Sequence, residues 1–411
     1  MIESISFGEI LPIENGIVFS SVDGEGLYFL EKGKKEAELL TFFPDRLTKQ
    51  KAFYKALVKA EGKIFLSPSL ADDIAVYDCE TKEIQTIPLD GGIMESEELC
   101  KFWTSFVHGD FVYLIGHYYP AIVKLNIHTL ELSYLTEWVE QIERKRKLQN
   151  GPYLGIGMQE GNIAVFPCCC TNGVLKLNLS TDETEFCELK TDIRGFNGIC
   201  FSEGRYWLPS RDNYDVAAWD IHKGETDTLT VLDNGRNPGN FYPPLLLRKN
   251  LYLFSGTAAH AYSIDTENGT VKEIGILDET LTDRSKRPSQ WRRIIAPPVL
   301  IEGTICFATT KDRLWHVYDP DTKKLIHFSV TVNEQGQREF IKKRSWEWFY
   351  REHCEKGESF IFVEEKLFDC KDFCNFLYEH QIELETLKIQ DCRPKGNAGG
   401  DIYERLRELN A

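Results

Sequence analysis

Two stretches far apart in the chain, VYDCETKEIQTI at 76–87 and VYDPDTKKLIHF at 317–328, read almost as copies of one another. Each opens on alternating apolar residues, stops at an aspartate, passes through a short turn rich in Thr and Lys, and resumes as a second alternating run. The period of two is that of a half-buried strand, and the Asp-led polar break is a turn. The same phrase returns as LNIHTLELSYL at 125–135, LNLSTDETEF at 177–186, WDIHKGETDTL at 219–229 and SIDTENGTVKEI at 263–274. A first copy, LYFLEKGKKEAELL at 27–40, carries Lys and Gly in place of the aspartate.

Upstream of every copy lies a second mark, a tight turn between two apolar runs. It falls at Glu14-Asn15-Gly16, Glu61-Gly62, Gly109-Asp110, Glu160-Gly161, Glu203-Gly204, Lys249-Asn250 and Glu302-Gly303, at intervals of 43 to 53 residues. Gly and Asn supply the positive φ that two-residue hairpin turns need. Each repeat is therefore predicted to hold four short antiparallel strands: a, tight turn, b, longer loop, c, polar turn, d. That unit, repeated seven times, resembles the WD40-like, Kelch-like and quinoprotein-like seven-bladed β-propellers over residues 5–332. The resemblance implies an all-β ring of four-stranded blades. It carries no subfamily's function, because the chain lacks a Gly-His…Trp-Asp pair in each blade and a Gly-Gly doublet after each b strand.

The predicted organisation is a propeller at 1–335 and a C-terminal extension at 336–411. In the extension, Trp346–Tyr350 fall in a polar, helix-compatible stretch, SFIFVEE at 359–365 reads as one more strand, and 367–380 and 401–409 read as helices. The extension is expected to pack on the ring or to dock a partner.

Lys and Arg total 48 against 64 Asp and Glu, a formal charge of −16, which argues against non-specific nucleic-acid binding. The N-terminal stretch has no basic region followed by an apolar one, and no apolar run reaches the roughly 20 residues that span a bilayer. The twelve cysteines sit mostly inside strand-like segments such as Gly198–Phe201 and Thr304–Phe307. There they serve as small apolar residues, not as a disulfide framework. A cytoplasmic protein with neither a nucleic-acid nor a membrane partner is expected.

In a propeller the d-to-a connections and b-to-c loops emerge on one face, and the a-to-b and c-to-d turns on the other. Sorted this way, the d-to-a connections carry Arg46, Lys49, Lys51, Arg144, Lys145, Arg146, Lys147, Arg194, Arg236, Arg284, Lys286, Arg287, Arg292 and Arg293. The a-to-b turns place Glu14, Glu61, Asp110, Glu160, Glu203 and Glu302 opposite. An acidic chain thus gathers basic residues on one rim, where guanidinium groups match carboxylate or phosphate.

On that face the expected ligand contacts are Arg194, Asn197, Arg211, Asp212, Asn213, Tyr214, Arg236, Asn237, Asn240, Tyr242, Arg292 and Arg293. They combine amide and guanidinium donors with an aromatic ring, as a site for an anionic sugar or an acidic peptide requires. His117, His260, Asp72 and Asp73 share the face as candidate acid–base groups. Cys168-Cys169-Cys170 cannot converge on one tetrahedral ion, since alternation along a strand turns Cys169 away from its neighbours. Walker, Rossmann, GxSxG and HExxH signatures are all missing, so no cofactor or metal is expected. The leading expectation is a protein- or ligand-binding propeller module that presents its partly basic face to an acidic partner, peptide or anionic sugar. The alternative is a lyase or hydrolase acting on a carbohydrate or another anionic small molecule in the central funnel.

Overall fold

Strand a of each unit pairs with b, b with c, and c with d, always antiparallel. The computed structural model describes residues 4–21, 25–44, 54–90, 100–149, 151–231, 241–256, 260–277, 295–309 and 312–350. Blade 1 runs through Glu9–Ile13, Gly16–Ser21, Gly26–Glu31 and Glu36–Phe42; blade 2 through Tyr54–Ala60, Lys63–Pro68, Asp73–Asp78 and Ile84–Pro88. Blade 3 comprises Phe102–His108, Phe111–Gly116, Ile122–Asn126 and Leu132–Leu135; blade 4 comprises Met158–Glu160, Ile163–Pro167, Gly173–Asn178 and Thr184–Glu188. Blade 5 is built of Cys200–Ser202, Arg205–Pro209, Asp215–Asp220 and Glu225–Thr230; blade 6 of Leu245–Leu247, Asn250–Phe254, Ala261–Asp265 and Val271–Glu273. Val299–Ile301, Thr304–Ala308, Trp315–Asp319 and Lys324–Phe328 make blade 7. The seven sheets form the propeller ring that the repeat predicts.

The turn chemistry explains the repeat. In blades 2, 5 and 7 the a-to-b turns are Glu61-Gly62, Glu203-Gly204 and Glu302-Gly303, with φ of 46° and 76°, 51° and 75°, and 47° and 79°. Two successive left-handed residues give the type I′ twist that matches paired strands. In blades 4 and 6 the turn lies one residue away from the expected place, at Gly161-Asn162 and Arg248-Lys249. The c-to-d turn is a single helical turn opened by an Asx side chain and ended by a left-handed residue. The Asp78 carboxylate accepts from the Glu80 and Thr81 amides at 2.9 and 3.0 Å, and Lys82 closes the turn at φ 61°. Asn126, Asn178, Asp220, Asp265 and Asp319 repeat the device.

Apolar packing between neighbouring blades does the rest. Strands b and c are largely buried, whereas the d strands alternate toward solvent, as Glu225–Thr230 does. Aliphatic and aromatic side chains of neighbouring sheets fill the seams from blade 1 through to blade 7. In the seam between blades 3 and 4 a short helix, α1 (Glu137–Glu143), contributes Trp138 and Ile142, both fully buried.

Blade 7 meets blade 1 through a latch. Trp315 Nε1 donates to the Ile5 carbonyl at 2.8 Å, and the Ile5 amide donates to Val330 at 2.8 Å. The indole lies edge-on to Phe7 and Phe19, with ring centroids 4.7 and 5.1 Å away. Thr331–Val332 then pairs in parallel with the outer strand of blade 1.

The compact unit that holds the ring is Glu3–Val332. A second unit begins at Asn333. Its side chain caps helix α2 (Glu334–Tyr350) by accepting from the Gly336 amide at 2.8 Å. The expected strand at 359–365 and helices at 367–380 and 401–409 lie outside the described residues.

Candidate functional site

Each b strand ends at one register position, held by Ser21, Pro68, Gly116, Cys168, Ser210, Ser255 and Thr309 in successive blades. In blades 4 to 7 this residue bridges to the residue that leads into strand a, namely Leu154, Phe196, Phe241 and Ile295. Small side chains are needed here: a Cβ on Gly116 would lie 2.0 Å from the Tyr119 carbonyl oxygen. The bridges gather the d-to-a connections and b-to-c loops onto one face, as the loop sorting requires.

Several of the expected site residues turn out to rivet blades together on this face. His117 Nδ1 lies 2.7 Å from the Leu154 carbonyl oxygen, which makes that nitrogen the protonated one. The Asn197 amide donates to the Phe241 carbonyl at 2.8 Å, and the Tyr242 hydroxyl donates to the Ile295 carbonyl at 2.8 Å. All three side chains are buried. Their donors run along the ring, each reaching the entry carbonyl of the following blade, as Trp315 does at the latch.

Near the axis, Trp103 belongs to one apolar cluster with Tyr242 and Ile295, and Ile156 packs against it. Side chains of blades 3, 4, 6 and 7 come together only near the centre of a ring, so Trp103 lies close to its axis. The edge of the His117 ring meets Trp103 at 4.7 Å, and Lys55 Nζ stands 5.6 Å from the indole centroid. Lys101 Nζ reaches Asp72 Oδ1 at 3.2 Å, joining blade 3 to blade 2. Lys55 and Lys101 are 7% and 6% exposed, unusual burial for lysine. Neither was singled out in the sequence. The signal was there: aligning the residues that lead into strand a sets Lys55 and Trp103 level with Gly155, Asn197, Tyr242 and Ala296.

Around blades 4 and 5 the polar groups pair with one another. Arg194 and Asp212 form an ion pair at 2.6 Å, and Asp212 also accepts from the Ser210 hydroxyl at 3.1 Å. Asn213 donates to Asp215 at 2.6 Å, and Tyr214 is buried edge-on against Phe241. Arg211 differs. Its backbone amide donates to Gly195 at 2.9 Å and its guanidinium faces the Cys169 thiol. Its Nη1 is buried with no hydrogen-bond partner among the described residues.

All three thiols of Cys168–Cys170 are buried and free. Cys168 and Cys170 join the seam between blades 3 and 4, while Cys169 turns toward Arg211, as strand alternation predicts. Burial pushes Cys169 up to about 12 and Cys170 up to about 11, so both stay protonated at neutral pH. No group of three or more His, Cys, Asp or Glu side chains converges on a metal position among the described residues.

His260 Nδ1 lies 3.2 Å from Glu273 Oε1 within its own blade. Asp73 opens strand c of blade 2, opposite Pro88. Three of the four cations of the rim at 144–147 are paired locally. Arg144 pairs with Glu140, Lys145 with Glu188, and Arg146 with Glu143. Arg46, Lys49, Lys51, Arg236, Asn237, Asn240, Arg284, Lys286, Arg287, Arg292 and Arg293 lie outside the described residues.

Fold and face together define a seven-bladed β-propeller with buried cations and aromatic rings gathered near the centre of its loop face. No protein-family profile matches the sequence, and no curated protein does. Among solved structures the chain is similar to virginiamycin B lyase from Staphylococcus aureus, with TM-score 0.52, 11% identity, and 75% of this chain and 92% of that chain covered. A catalytically inactive form of that lyase with quinupristin gives 0.53 at 10% identity, with the same coverage. The extracellular domain of the putative one component system BT4673 from B. thetaiotaomicron gives 0.52 at 11% identity, covering 80% of this chain and 46% of that one. At such identities the likeness is one of fold.

Proposed function

We propose that the protein is a recognition module that binds an anionic ligand on its loop face, with Arg211 as the central contact. The observation that carries the reading is the buried Nη1 of Arg211, which lacks a hydrogen-bond partner among the described residues. An unsatisfied buried N–H costs about 1–3 kcal/mol, and a carboxylate or phosphate oxygen would supply its partner. Arg194, held by Asp212 18 positions later in the chain, can exchange that partner for a ligand at small cost because it is more than half exposed.

The test is calorimetric titration of the full chain with citrate, glucuronate, glucose 6-phosphate and hexaglutamate. Saturable binding of at least one probe is expected, with about a tenfold or greater loss in Arg211→Met. Arg211→Lys should recover little, since a point charge does not reproduce the planar fork. Equal binding by Arg211→Met and the parent protein, or no saturable binding of any probe, would overturn the reading.

A second reading, an enzyme working in the funnel, draws on the Asp72–Lys101 pair, two titratable groups from different blades at 3.2 Å. Lyase and hydrolase chemistry on an anionic carbohydrate both fit such a pair. Turnover of an oligouronide that disappears in Lys101→Met, while citrate binding persists, would favour this reading over simple recognition.

A further inference from the structure

On the opposite face, the seam between blades 7 and 1 holds a pocket of about 460 Å³. Its blade 7 wall follows from strand register: Cys306 pairs with Val317 and Val317 with Ile326, giving one apolar row across the sheet. Trp315 and Phe328, also paired, form a second row. Ile17 and Leu30, cross-strand partners in blade 1, supply the facing wall. Ile326, in the outer strand of blade 7, is 47% exposed, the most of any large apolar side chain among the described residues. The volume lies within the range of small-molecule sites and is about three times that of an engineered cavity that admits benzene.

The mouth is lined by the turn between strands c and d of blade 1. Lys32 is held by Glu302 at 2.5 Å. The next two lysines are different: Lys35 Nζ stands 5.6 Å from the Phe328 ring centroid, and neither Lys34 nor Lys35 has a carboxylate at ion-pair distance among the described residues. Glu14 and Glu31 also border the mouth, which disfavours a polyanion. Burial pushes the Cys306 thiol up to about 12, so the floor adds no charge.

We propose that this pocket binds a medium-chain carboxylate, its tail against the Val317 and Phe328 rows and its head group between Lys34 and Lys35. Such a ligand touches both blades that the latch joins, so binding strengthens closure of the ring. This site is separate from the Arg211 face and stands or falls independently of it.

The experiment titrates the full chain calorimetrically with decanoate, decan-1-ol and inorganic phosphate. Decanoate should bind one per chain and raise the melting temperature, and phosphate should not bind at this site. The Lys34→Met/Lys35→Met variant should weaken decanoate about tenfold and leave decanol unchanged. Ile326→Glu, at an exposed position that tolerates polarity, should weaken both. Arg211→Met should bind decanoate like the parent protein. The proposal is overturned if decanoate shows no saturable binding, if the double lysine variant matches the parent protein, or if Arg211→Met abolishes decanoate binding.

Discussion

Replacing Trp315 by alanine should loosen the joint that closes the ring between blades 7 and 1. The indole is 1% exposed, meets Phe7 and Phe19 edge-on, and donates its only N–H to a carbonyl of a residue that is itself fully buried. Truncating a buried tryptophan costs about 3–5 kcal/mol from lost transfer energy and the cavity left behind. Trp315→Phe separates the two contributions. It keeps most of the apolar area but leaves the Ile5 carbonyl without its donor, for about 1–3 kcal/mol. Urea unfolding followed by far-ultraviolet circular dichroism measures both. A cycle of Phe7→Ala and Trp315→Ala should show a coupling of about 0.5–1.5 kcal/mol, as expected of an aromatic pair. A loss below about 1 kcal/mol in Trp315→Ala, with additive effects in the cycle, would refute the claim that this contact closes the ring.

Other consequences are as direct. Cys169, Cys200 and Cys306 sit near 12 in the folded protein because burial disfavours the thiolate, whereas an unfolded thiol titrates near 9. The folded state then holds more protons between those values. Its stability should be full below about pH 9 and fall as pH rises toward about 12, which urea midpoints across that range will show. His316, stacked on Phe307 at 4.8 Å, is held below its ordinary 6.5 mainly by burial. Stability should therefore be full above about pH 6.5 and decline as pH drops through the folded value, and His316→Gln should flatten that acid limb. Gly116→Ala would set a methyl group against two backbone carbonyls, at 2.0 and 2.3 Å, and should cost about 1–3 kcal/mol in the same unfolding assay.

The repeat was legible because its turns are made by side chains with one purpose each. An aspartate or asparagine caps the c-to-d turn in blades 2 to 7, and Gly, or an acidic residue before Gly, accepts positive φ between a and b in most blades. The expected turn slipped by one residue at Arg248-Lys249, where that chemistry is weak, and also at Gly161-Asn162, where a glycine is present. The face was legible too, since loop sorting depends only on strand order. What each polar side chain does there was not. Asn197, Tyr242 and His117 look like donors waiting for a ligand, yet each spends its hydrogen bond on the neighbouring blade's carbonyl. Such partners lie 37 to 53 residues away in the chain, and no local pattern announces them. The buried Lys55 and Lys101 were hidden for the opposite reason: lysine at the start of a strand or just before it ordinarily means solvent, and only the three-dimensional ring turns them inward.

Every blade takes its four main strands from consecutive stretches of chain. During synthesis each sheet can therefore complete its own ladder as soon as it leaves the ribosome, and the next can settle against it. The latch is the exception. Ile5 and Phe7 precede all seven blades in the chain, and they must wait, apolar and uncovered, until Trp315 and Val330 arrive. The interval of greatest exposure to chaperones and to aggregation is thus set by the time needed to translate the whole ring.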